Sequence, residues 1–494
     1  MNRFKEYLEK TKEYGTVEQV RFPLIFASGL PEATTDEIVI FEDGQIGYVS
    51  DLQPDVVHIA LLSGEPIQPG TRLTRTGQRL HIPVGKGQRG QILNPLGEPL
   101  LPGIKIQGET EQRLIDIHPL PIEKRKPIKR QFVTGTSVVD LLVPLAAGQR
   151  EAVIGDLKTG KTSFVLAAAK AHANRGIVVF AAIGRPLSEI RRIADFVNEE
   201  TNTKNVIVVA SSAEDIPSLI ILTPYAAMTV AEYWRDAGED VLLILHDLST
   251  HARYYREVAL LSGRFPGRES YPGDIFHAHA RLLERGGNFI HPEKKEASIT
   301  CLVVGETVQN SVSGYIVSNL ISITDGHLHF DSVRFAAGQR PAVDVAASVT
   351  RVGLKVQLPA AKQLNIELMA FLAKYRDAQQ FTKFGSEMTE EVKTILATGK
   401  RLMQFFSQPA FLTVPLPVQL VLTTMIWRGW LNEQPEDTPA HWRDHLVQQY
   451  SSDPEAKRLF DDMVKLSKLE HLVQQIGENR PHIEELCQTA TVSR

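Results

Sequence analysis

The sequence predicts an α/β P-loop core, with an N-terminal β-barrel before it and a C-terminal helical domain after it. Three observations lead to this architecture. Brief β-branched runs separated by turns occupy residues 15–80, apolar strands alternate with helical patterns in the middle of the chain, and strand patterns fade after about residue 358. Alternating strands and helices are typical of a mainly parallel sheet with helices on both faces.

The composition is that of an ordinary soluble globular protein, with 43% hydrophobic and 23% charged residues. A formal net charge of −4 provides no general attraction to nucleic acid, so we expect no nucleic-acid partner. Cys301 and Cys487 lie far apart in the sequence without metal-ligand spacing, which favours incidental thiols. The charged N-terminus does not match a signal peptide, and no apolar run reaches the ~18 residues of a membrane helix. We therefore expect membrane association only through other subunits.

The N-terminal part is predicted to contain two segments. Residues 1–14 alternate charged and apolar positions like a short amphipathic helix, and residues 15–80 form the β domain. Strand-like runs within that domain cover residues 16–21, 37–41, 45–50, 56–62 and 72–75. Short strands at this spacing are typical of a small β-barrel or a β-sandwich.

The rest of the chain is predicted to form two further domains. Residues 81–357 form the P-loop domain, which begins with a connector rich in proline and charge that extends to about Pro127. Its strands are predicted at residues 151–154, 177–182, 205–210, 241–246 and 298–304, and its helices at 163–173, 187–199 and 251–261. Residues 358–494 form the helical domain, with helices predicted at residues 361–375, 389–406, 417–431 and 453–475.

A complete phosphate loop of the pattern G-x-x-x-x-G-K-[ST] follows the first of these strands. Its members are Gly155, Asp156, Leu157, Lys158, Thr159, Gly160, Lys161 and Thr162. The glycines allow backbone N–H groups to face a phosphate chain, and the N-terminus of the next helix adds a favourable dipole. We expect Lys161 to contact the β- and γ-phosphates and the Thr162 hydroxyl to bind Mg²⁺. The pattern therefore predicts an α/β P-loop nucleotide-binding core.

Two later positions bear on whether the bound nucleotide is hydrolysed. Asp247 follows the strand 241–246, where a Walker B carboxylate contacts the Mg²⁺ shell, although a solvated strand-end acid is the alternative. A group that orients or deprotonates water is expected at the end of the strand 177–182. Arg185 stands there, and it donates hydrogen bonds but cannot accept a proton. Arg185 could contact phosphate or pair with Glu189. Either way, the missing carboxylate favours a site that holds a triphosphate without hydrolysing it.

Three later blocks, together with the phosphate loop, resemble the alpha subunits of F-type ATP synthases. They cover residues 263–274 (GRFPGRESYPGD) with 281–285 (RLLER), residues 321–326 (ISITDG), and the two ends of 338–353 (GQRPAVD and SVTRVG). The likeness runs over residues 15–430 in the same order and spacing. It implies a β-barrel crown, a nucleotide-binding domain and a helical C-terminal domain, in agreement with the patterns above.

The resemblance also implies a function and partners. Alpha subunits hold ATP or ADP with Mg²⁺ at a non-catalytic site and alternate with catalytic beta subunits in an alpha3beta3 ring. The ring surrounds the gamma central stalk and is attached to delta and the peripheral stalk. This resemblance implies a regulatory subunit that couples a transmembrane ion gradient to ATP synthesis or hydrolysis. We expect it at the cytoplasmic face of a bacterial inner membrane, and we expect the isolated chain to be non-catalytic.

Five residues are assigned roles through the resemblance alone. Arg351 corresponds to the alpha arginine that reaches the catalytic site on beta, as an arginine finger acts in trans; a structural ion pair is the alternative. Phe335 corresponds to an aromatic residue beside adenine, with core packing as the alternative. Arg340 and Pro341 correspond to the wall of the non-catalytic pocket, and Gln408 to a glutamine on the side of the base.

Several positions depart from the pattern of the family. Leu157 and Lys158 stand where the family usually has Arg-Gln, and Lys158 adds a second cation close to the phosphates. Arg185 replaces a glutamine, and His246-Asp247 replaces an aspartate pair. The N-terminus is shorter than usual, which puts docking of the delta subunit in doubt. These departures favour a divergent alpha subunit of a second, alternate rotary ATPase.

Two other interpretations follow from the same residues. A self-sufficient hexameric P-loop ATPase, such as a secretion or RNA-translocating motor, needs its own glutamate at the position of Arg185 and, for RNA, a basic or aromatic platform. Neither is evident in the sequence. A structural partner with a vestigial site is the other alternative, and the intact Lys161 and Thr162 argue against it.

Overall fold

The apolar segments form the predicted strands and helices, and the structure contains several further elements that the sequence patterns do not reveal. The computed structural model describes residues 3–101, 103–200, 204–383 and 389–488, so residues 1–2 and 489–494 of the predicted terminal segments lie outside the described residues. The strands, in chain order, are β1 (Gly15–Arg21), β2 (Leu24–Ser28), β3 (Glu37–Phe41), β4 (Ile46–Leu52), β5 (Val57–Leu61), β6 (Arg72–Arg79), β7 (His81–Val84), β8 (Ile92–Leu93), β9 (Glu111–Leu114), β10 (Gln131–Phe132), β11 (Leu145–Ala146), β12 (Arg150–Gly155), β13 (Ile177–Arg185), β14 (Val206–Ser212), β15 (Val241–His246), β16 (Gly287–His291), β17 (Lys295–Glu306), β18 (Gly326–Phe330) and β19 (Val349–Thr350). The α-helices are α1 (Arg3–Thr11), α2 (Ser137–Leu142), α3 (Lys161–Ala173), α4 (Leu187–Glu200), α5 (Pro217–Asp236), α6 (Leu248–Leu261), α7 (Ile275–Glu284), α8 (Tyr315–Ile323), α9 (Ser332–Ala336), α10 (Gly353–Val356), α11 (Pro359–Lys383), α12 (Glu390–Phe406), α13 (Leu416–Trp427), α14 (Thr438–Ser452), α15 (Pro454–Val464), α16 (Leu469–Glu478) and α17 (Arg480–Gln488).

These elements are distributed over two compact units. The first unit comprises residues Met1–Lys126, Ala173–Glu306 and Ser311–Thr324. The second unit comprises residues Pro127–His172, Thr307–Asn310 and Asp325–Arg494. The first therefore contains the N-terminal domain and most of the alternating α/β region, and the second contains the phosphate loop and the C-terminal helices.

The N-terminal domain of the first unit is a closed β-barrel with the strand order β1-β2-β5-β4-β3-β6. Pairing of β1 with β6 completes the barrel, so the strands are left without open edges. The predicted barrel is confirmed, and the sandwich alternative is not. Strand β2 was not predicted; it is only five residues long and directly follows the turn at Pro23. The barrel core consists mainly of Val17, Ile25, Ala27, Val39, Phe41, Val49, Ile59, Leu61 and Leu73.

The α/β part of the first unit is built on parallel strands in the order β17-β15-β13-β14-β8, with β16 antiparallel to β17. Every residue of β15 is buried, which explains its unbroken apolar sequence. Helix α5 is buried on nearly all sides even though Pro224 lies inside it. The register of β13 and β15 places Ala182 opposite His246, so the two strands end at the same edge.

The second unit contains the strand that leads into the phosphate loop. Strand β12 pairs in parallel with β18, and β18 pairs antiparallel with β19. Helices α11–α17 form its C-terminal part. The helix predicted at 453–475 is two helices, α15 and α16, and Asp453 caps the first by accepting a hydrogen bond from the Glu455 N–H. Helices α14 and α17 were not predicted.

None of the helices in the described parts of the chain combines the length and the apolar content needed to cross a membrane.

Candidate functional site

The phosphate loop begins where β12 ends, at a position where only glycine fits. A Cβ atom on Gly155 would lie 2.4 Å from the carbonyl oxygen of Phe330 on the neighbouring strand β18. Gly160, with φ of +94°, lies in the left-handed region that glycine adopts without strain. The two glycines of the motif therefore have separate tasks: the first allows close approach to β18, and the second allows the loop to turn into α3.

Lys161 and Thr162 open helix α3 directly after the loop. Lys161 is buried, and its Nζ donates to the carbonyl oxygens of Gly155 and Asp156, each at 2.6 Å. The ammonium group is thus held over the loop itself. Thr162, the second residue of the helix, is at the end where backbone N–H groups and the helix dipole favour an anion. This arrangement fits a triphosphate.

A network centred on the Asp156 carboxylate anchors the loop. Oδ1 of Asp156 accepts from the Thr307 hydroxyl at 2.5 Å and from the Asn310 N–H at 2.9 Å, and Thr307 N–H donates to the Gly155 carbonyl oxygen at 3.0 Å. The Asn310 side chain in turn donates to Asp331 at 3.1 Å and to Ser332 at 2.8 Å. The sequence alone did not identify these residues, because nothing in the phosphate-loop motif indicates which distant residues bond to it.

Phe335 lies beside the phosphate loop. A Cβ atom on Gly160 would lie 3.7 Å from Phe335 Cε2. The Arg340 guanidinium lies over the Phe335 ring, 3.5 Å from its centroid, and Nη1 donates to the Phe335 carbonyl oxygen at 2.6 Å. Two of the residues that the resemblance assigns to the base pocket are therefore in contact with each other and adjacent to the loop. Phe335 is partly buried.

Gln408 lies behind the pocket wall formed by Arg340 and Pro341. Its backbone N–H donates to the Arg340 carbonyl oxygen at 2.6 Å. Its side-chain Oε1 accepts from the Ser137 N–H at 3.1 Å, while Nε2 donates to the carbonyl oxygens of Gly135, at 2.7 Å, and Leu412. Both polar atoms of the Gln408 side-chain amide therefore make hydrogen bonds within the protein. A direct hydrogen bond to a nucleotide base would have to replace one of them.

Arg185 and Asp247 form an ion pair in the first unit. Asp247 is fully buried, and its Oδ2 accepts from Arg185 Nη2. Its Oδ1 accepts from the Thr250 N–H at 2.5 Å, so the same carboxylate caps helix α6. Arg185 Nη1 also lies 3.8 Å from Glu189. The predicted pairing with Glu189 is present, but Asp247 is the closer partner.

Arg351 follows β19 and is exposed, while its backbone is fixed. The Arg351 N–H donates to the Asp325 carbonyl oxygen at 3.1 Å, and the Asp325 carboxylate is bound by Arg150 at 2.8 and 3.0 Å. Glu151, buried next to this segment, accepts from Gln149 at 2.6 Å. Burial raises the pKa of Glu151 well above its usual value, and the positive charge of Arg351 opposes that shift. Arg351 is therefore an exposed residue on an anchored backbone.

The donor set fits a nucleotide better than it fits a fully coordinated metal. The loop, Lys161 and the start of α3 supply the donors that phosphates require. In the second unit, the Thr162 hydroxyl is a suitable oxygen ligand for Mg²⁺. In the first unit, both oxygens of the Asp247 carboxylate accept hydrogen bonds from protein donors. Within the described ranges, no group of three or more histidine, cysteine or acidic side chains is placed to hold a metal.

Comparison with protein-family models gives two matches. Residues 135–350 match the nucleotide-binding domain of the ATP synthase alpha/beta family, and residues 357–477 match the C-terminal domain of the ATP synthase alpha/beta chain. The matched ranges together cover more than half of the chain and include the phosphate loop and Gln408, and Arg351 directly follows the first range.

Curated proteins of similar sequence carry the corresponding name. The chain is 36% identical over 441 residues to ATP synthase subunit alpha of Lawsonia intracellularis, and the aligned region covers 89% of this chain and 87% of that protein. It is 36% identical over 439 residues to ATP synthase subunit alpha of Aquifex aeolicus, covering 88% and 87%. It is 37% identical over 475 residues to ATP synthase subunit alpha 2 of Burkholderia thailandensis, covering 94% and 83%.

Proposed function

Because this chain belongs to the ATP synthase alpha/beta family, as an alpha subunit of the F1 sector, we propose that it binds ATP or ADP without hydrolysing it and serves catalytic beta subunits. In this role the nucleotide site regulates and stabilises an assembly that couples a transmembrane ion gradient to ATP synthesis or hydrolysis. The chemistry takes place at sites carried mainly by the beta subunits.

The observation that carries this proposal is made in the sequence: the phosphate loop is complete, whereas Arg185 stands at the strand end where the pattern leads us to expect a base. Lys161 and the glycines are arranged to hold phosphates. Hydrolysis requires a group that accepts a proton from water or orients it, and a guanidinium remains protonated and only donates. Its partner, the carboxylate of Asp247, is engaged by Arg185 and by the N-terminus of α6.

We propose the nucleotide pocket from the residues of the second unit. Lys161 and the loop backbone bind the phosphates, the Thr162 hydroxyl binds Mg²⁺ when it is present, and Phe335 lies beside the base. Arg340 holds Phe335 by stacking on its ring, and Gln408 supports this wall from behind. The Phe335 ring and the guanidinium stacked on it are both planar groups of the kind that a purine contacts favourably.

Arg351 is proposed to act on a neighbouring subunit. A guanidinium supplied in trans stabilises the charge that develops on the transferred phosphoryl group. The exposed side chain and the backbone anchored at Asp325 are compatible with that role. The proposed partners are beta subunits in an alternating alpha3beta3 ring, the gamma central stalk, and delta with the peripheral stalk. The proposed location is the cytoplasmic face of a bacterial membrane.

Single-turnover hydrolysis by the isolated chain tests the non-catalytic assignment. The purified full chain is loaded with Mg²⁺ and ATP labelled at the γ-phosphate, excess nucleotide is removed, and samples are quenched over time. We expect the bound ATP to remain intact, with any rate at least about a hundredfold below the ~1–10³ s⁻¹ of typical enzymes. Lys161→Ala is the control and should retain no label. Hydrolysis at a typical enzymatic rate would overturn the proposal and favour a self-sufficient hexameric ATPase.

A further inference from the structure

We infer that the nucleotide site of this chain does not select adenine over guanine, because neither Gln408 nor Arg340 is able to favour the edge of the adenine ring. The inference rests on the proposed function and names the class of nucleotide that the site accepts, which is purine nucleotides in general. Every residue on which it depends lies in the second unit.

The amide of Gln408, the glutamine assigned to the side of the base, is fixed in one orientation. Its Nε2 donates to the carbonyl oxygens of Gly135, at 2.7 Å, and Leu412. Its Oε1 accepts from the Ser137 N–H at 3.1 Å and from the Ser137 hydroxyl at 3.3 Å. A flipped amide would place its oxygen against two carbonyl oxygens. Gln408 therefore cannot exchange its donor and acceptor, as a glutamine must do to match a different base.

Burial makes it costly to turn the Gln408 amide toward a base. The residue is only 5% exposed, and its backbone N–H also donates to the Arg340 carbonyl oxygen at 2.6 Å. Rotating the amide would leave buried N–H and carbonyl groups of the backbone without partners, which costs more free energy than one new hydrogen bond to a base returns. We therefore expect the amide to keep its bonds within the protein when a nucleotide is present.

Arg340, the other polar side chain at this wall, can only donate hydrogen bonds. Its Nη1 donates to the carbonyl oxygens of Phe335, at 2.6 Å, and Gln339, at 2.9 Å. Any contact between the guanidinium and a base therefore needs an acceptor on the base. Guanine presents two neighbouring acceptors, O6 and N7, on the edge where adenine presents the N7 acceptor and the N6 amino donor. A guanidinium at this position gives adenine no advantage over guanine.

Stacking is the contact that remains for the base. The Phe335 ring is partly buried and lies beside the phosphate loop, and the Arg340 guanidinium lies over it, 3.5 Å from its centroid. Stacking on an aromatic ring or on a guanidinium uses the face of the base and is therefore tolerant of its identity. Because adenine and guanine share the same bicyclic ring system, both should be bound with similar affinity.

Equilibrium binding of the β,γ-imido analogues of ATP and GTP to the purified full chain tests this inference. Both analogues resist hydrolysis, so the result does not depend on whether the chain is catalytic. In the presence of Mg²⁺, we expect the Kd of the GTP analogue to lie no more than about fivefold above that of the ATP analogue.

Two substitutions separate stacking from recognition of the base edge. Phe335→Ala should raise the Kd of both analogues by at least about fivefold and leave their ratio unchanged, since stacking holds both bases alike. Gln408→Met keeps the length of the side chain without the amide, and it should also keep the ratio of the wild type. Phe381→Ala, which removes an exposed aromatic ring on α11, is the matched control and should leave both constants unchanged.

The ratio of the two constants decides the inference. A wild-type Kd for the GTP analogue more than about fivefold above that for the ATP analogue would overturn it and leave the proposed function intact, and this comparison suffices even if a variant does not fold. Wild-type affinities in Phe335→Ala would also overturn it, because the base would then not be held by stacking. Failure of the wild-type chain to bind either analogue would overturn the proposed function, and the inference with it.

Discussion

Asp156 holds the phosphate loop in place, although it occupies a position of the motif at which no particular residue is specified. Its carboxylate accepts from the Thr307 hydroxyl and from the Asn310 N–H, so the loop is tied to a segment about 150 residues further along the chain. The motif itself was evident in the sequence because its residues are contiguous. The supporting partners were not, because only the folded chain brings them together.

The contribution of Asp156 can be measured by substitution. Asp156→Ala removes the acceptor for Thr307 and Asn310, which should loosen the loop and weaken ATP binding by about tenfold, equivalent to ~1.4 kcal/mol. Equilibrium dialysis with ATP would measure the change. Thr307→Val, which removes one donor, is the matched control and should cause a smaller loss. Wild-type affinity in Asp156→Ala would show that the network does not hold the loop.

Arg185 shows how far local spacing supports a prediction. Glu189 was recognisable as a partner because it lies only four residues further along the chain, in the first turn of α4. Asp247 became its closer partner because β13 and β15 are parallel neighbours that end at the same edge, with Ala182 opposite His246. The partnership therefore depends on strand order, which the spacing of residues along the chain does not reveal.

At the scale of elements, α6 and α7 meet through two buried histidines. His251 Nδ1 lies 3.0 Å from His279 Nε2, and neither side chain is accessible to solvent. Burial lowers the pKa of His251 to about 4, and burial together with the neighbouring His251 lowers the pKa of His279 well below its usual value. Both rings are neutral in the folded protein near pH 7.

This pair should make the fold sensitive to acid. Below the usual histidine pKa the unfolded chain takes up protons that the folded chain does not, so stability present above about pH 6.5 is lost as the pH falls toward 4. Each histidine contributes a slope of at most ~1.4 kcal/mol per pH unit. We expect the thermal unfolding temperature to decrease as the pH is lowered from 6.5 to 5.

Substitution identifies the source of that slope. His279→Gln removes one titrating group and should give a shallower fall of the unfolding temperature over the same pH range. His277→Gln, on the exposed side of the same helix, is the matched control and should leave the slope as it is in the wild type. An identical slope in His279→Gln and the wild type would exclude this pair as the cause.

At the scale of the whole molecule, the predicted fold class holds in all of its parts. The six-stranded barrel, the parallel strands and the C-terminal helices follow from periodicity, which a single sequence records well. Elements that are short or whose apolar stripe is short were harder to predict, as the five-residue strand β2 and helix α14 illustrate. The two matched family domains extend over the phosphate loop and the C-terminal helices.

The proposed part of this subunit in catalysis depends on Arg351 reaching a catalytic site on a neighbouring subunit. Arg351 is an exposed residue, and its backbone N–H donates to the Asp325 carbonyl oxygen, so Arg351→Ala keeps this backbone hydrogen bond. An arginine finger is worth about 10³–10⁵ in turnover where it acts in trans. A structural arginine would instead affect stability or assembly.

ATP turnover of the assembled complex therefore tests whether Arg351 acts on a neighbouring subunit. The chain is combined with its beta and gamma subunits, and assembly is checked by size before rates are measured. We expect Arg351→Ala to assemble normally and to lower turnover by about 10³-fold or more. Arg351→Lys keeps the positive charge but lacks the planar guanidinium, so its turnover should lie between those of the wild type and Arg351→Ala. Arg458 is an exposed arginine on α15, and the turnover of Arg458→Ala should match that of the wild type. Wild-type turnover in an assembled Arg351→Ala complex would contradict the account.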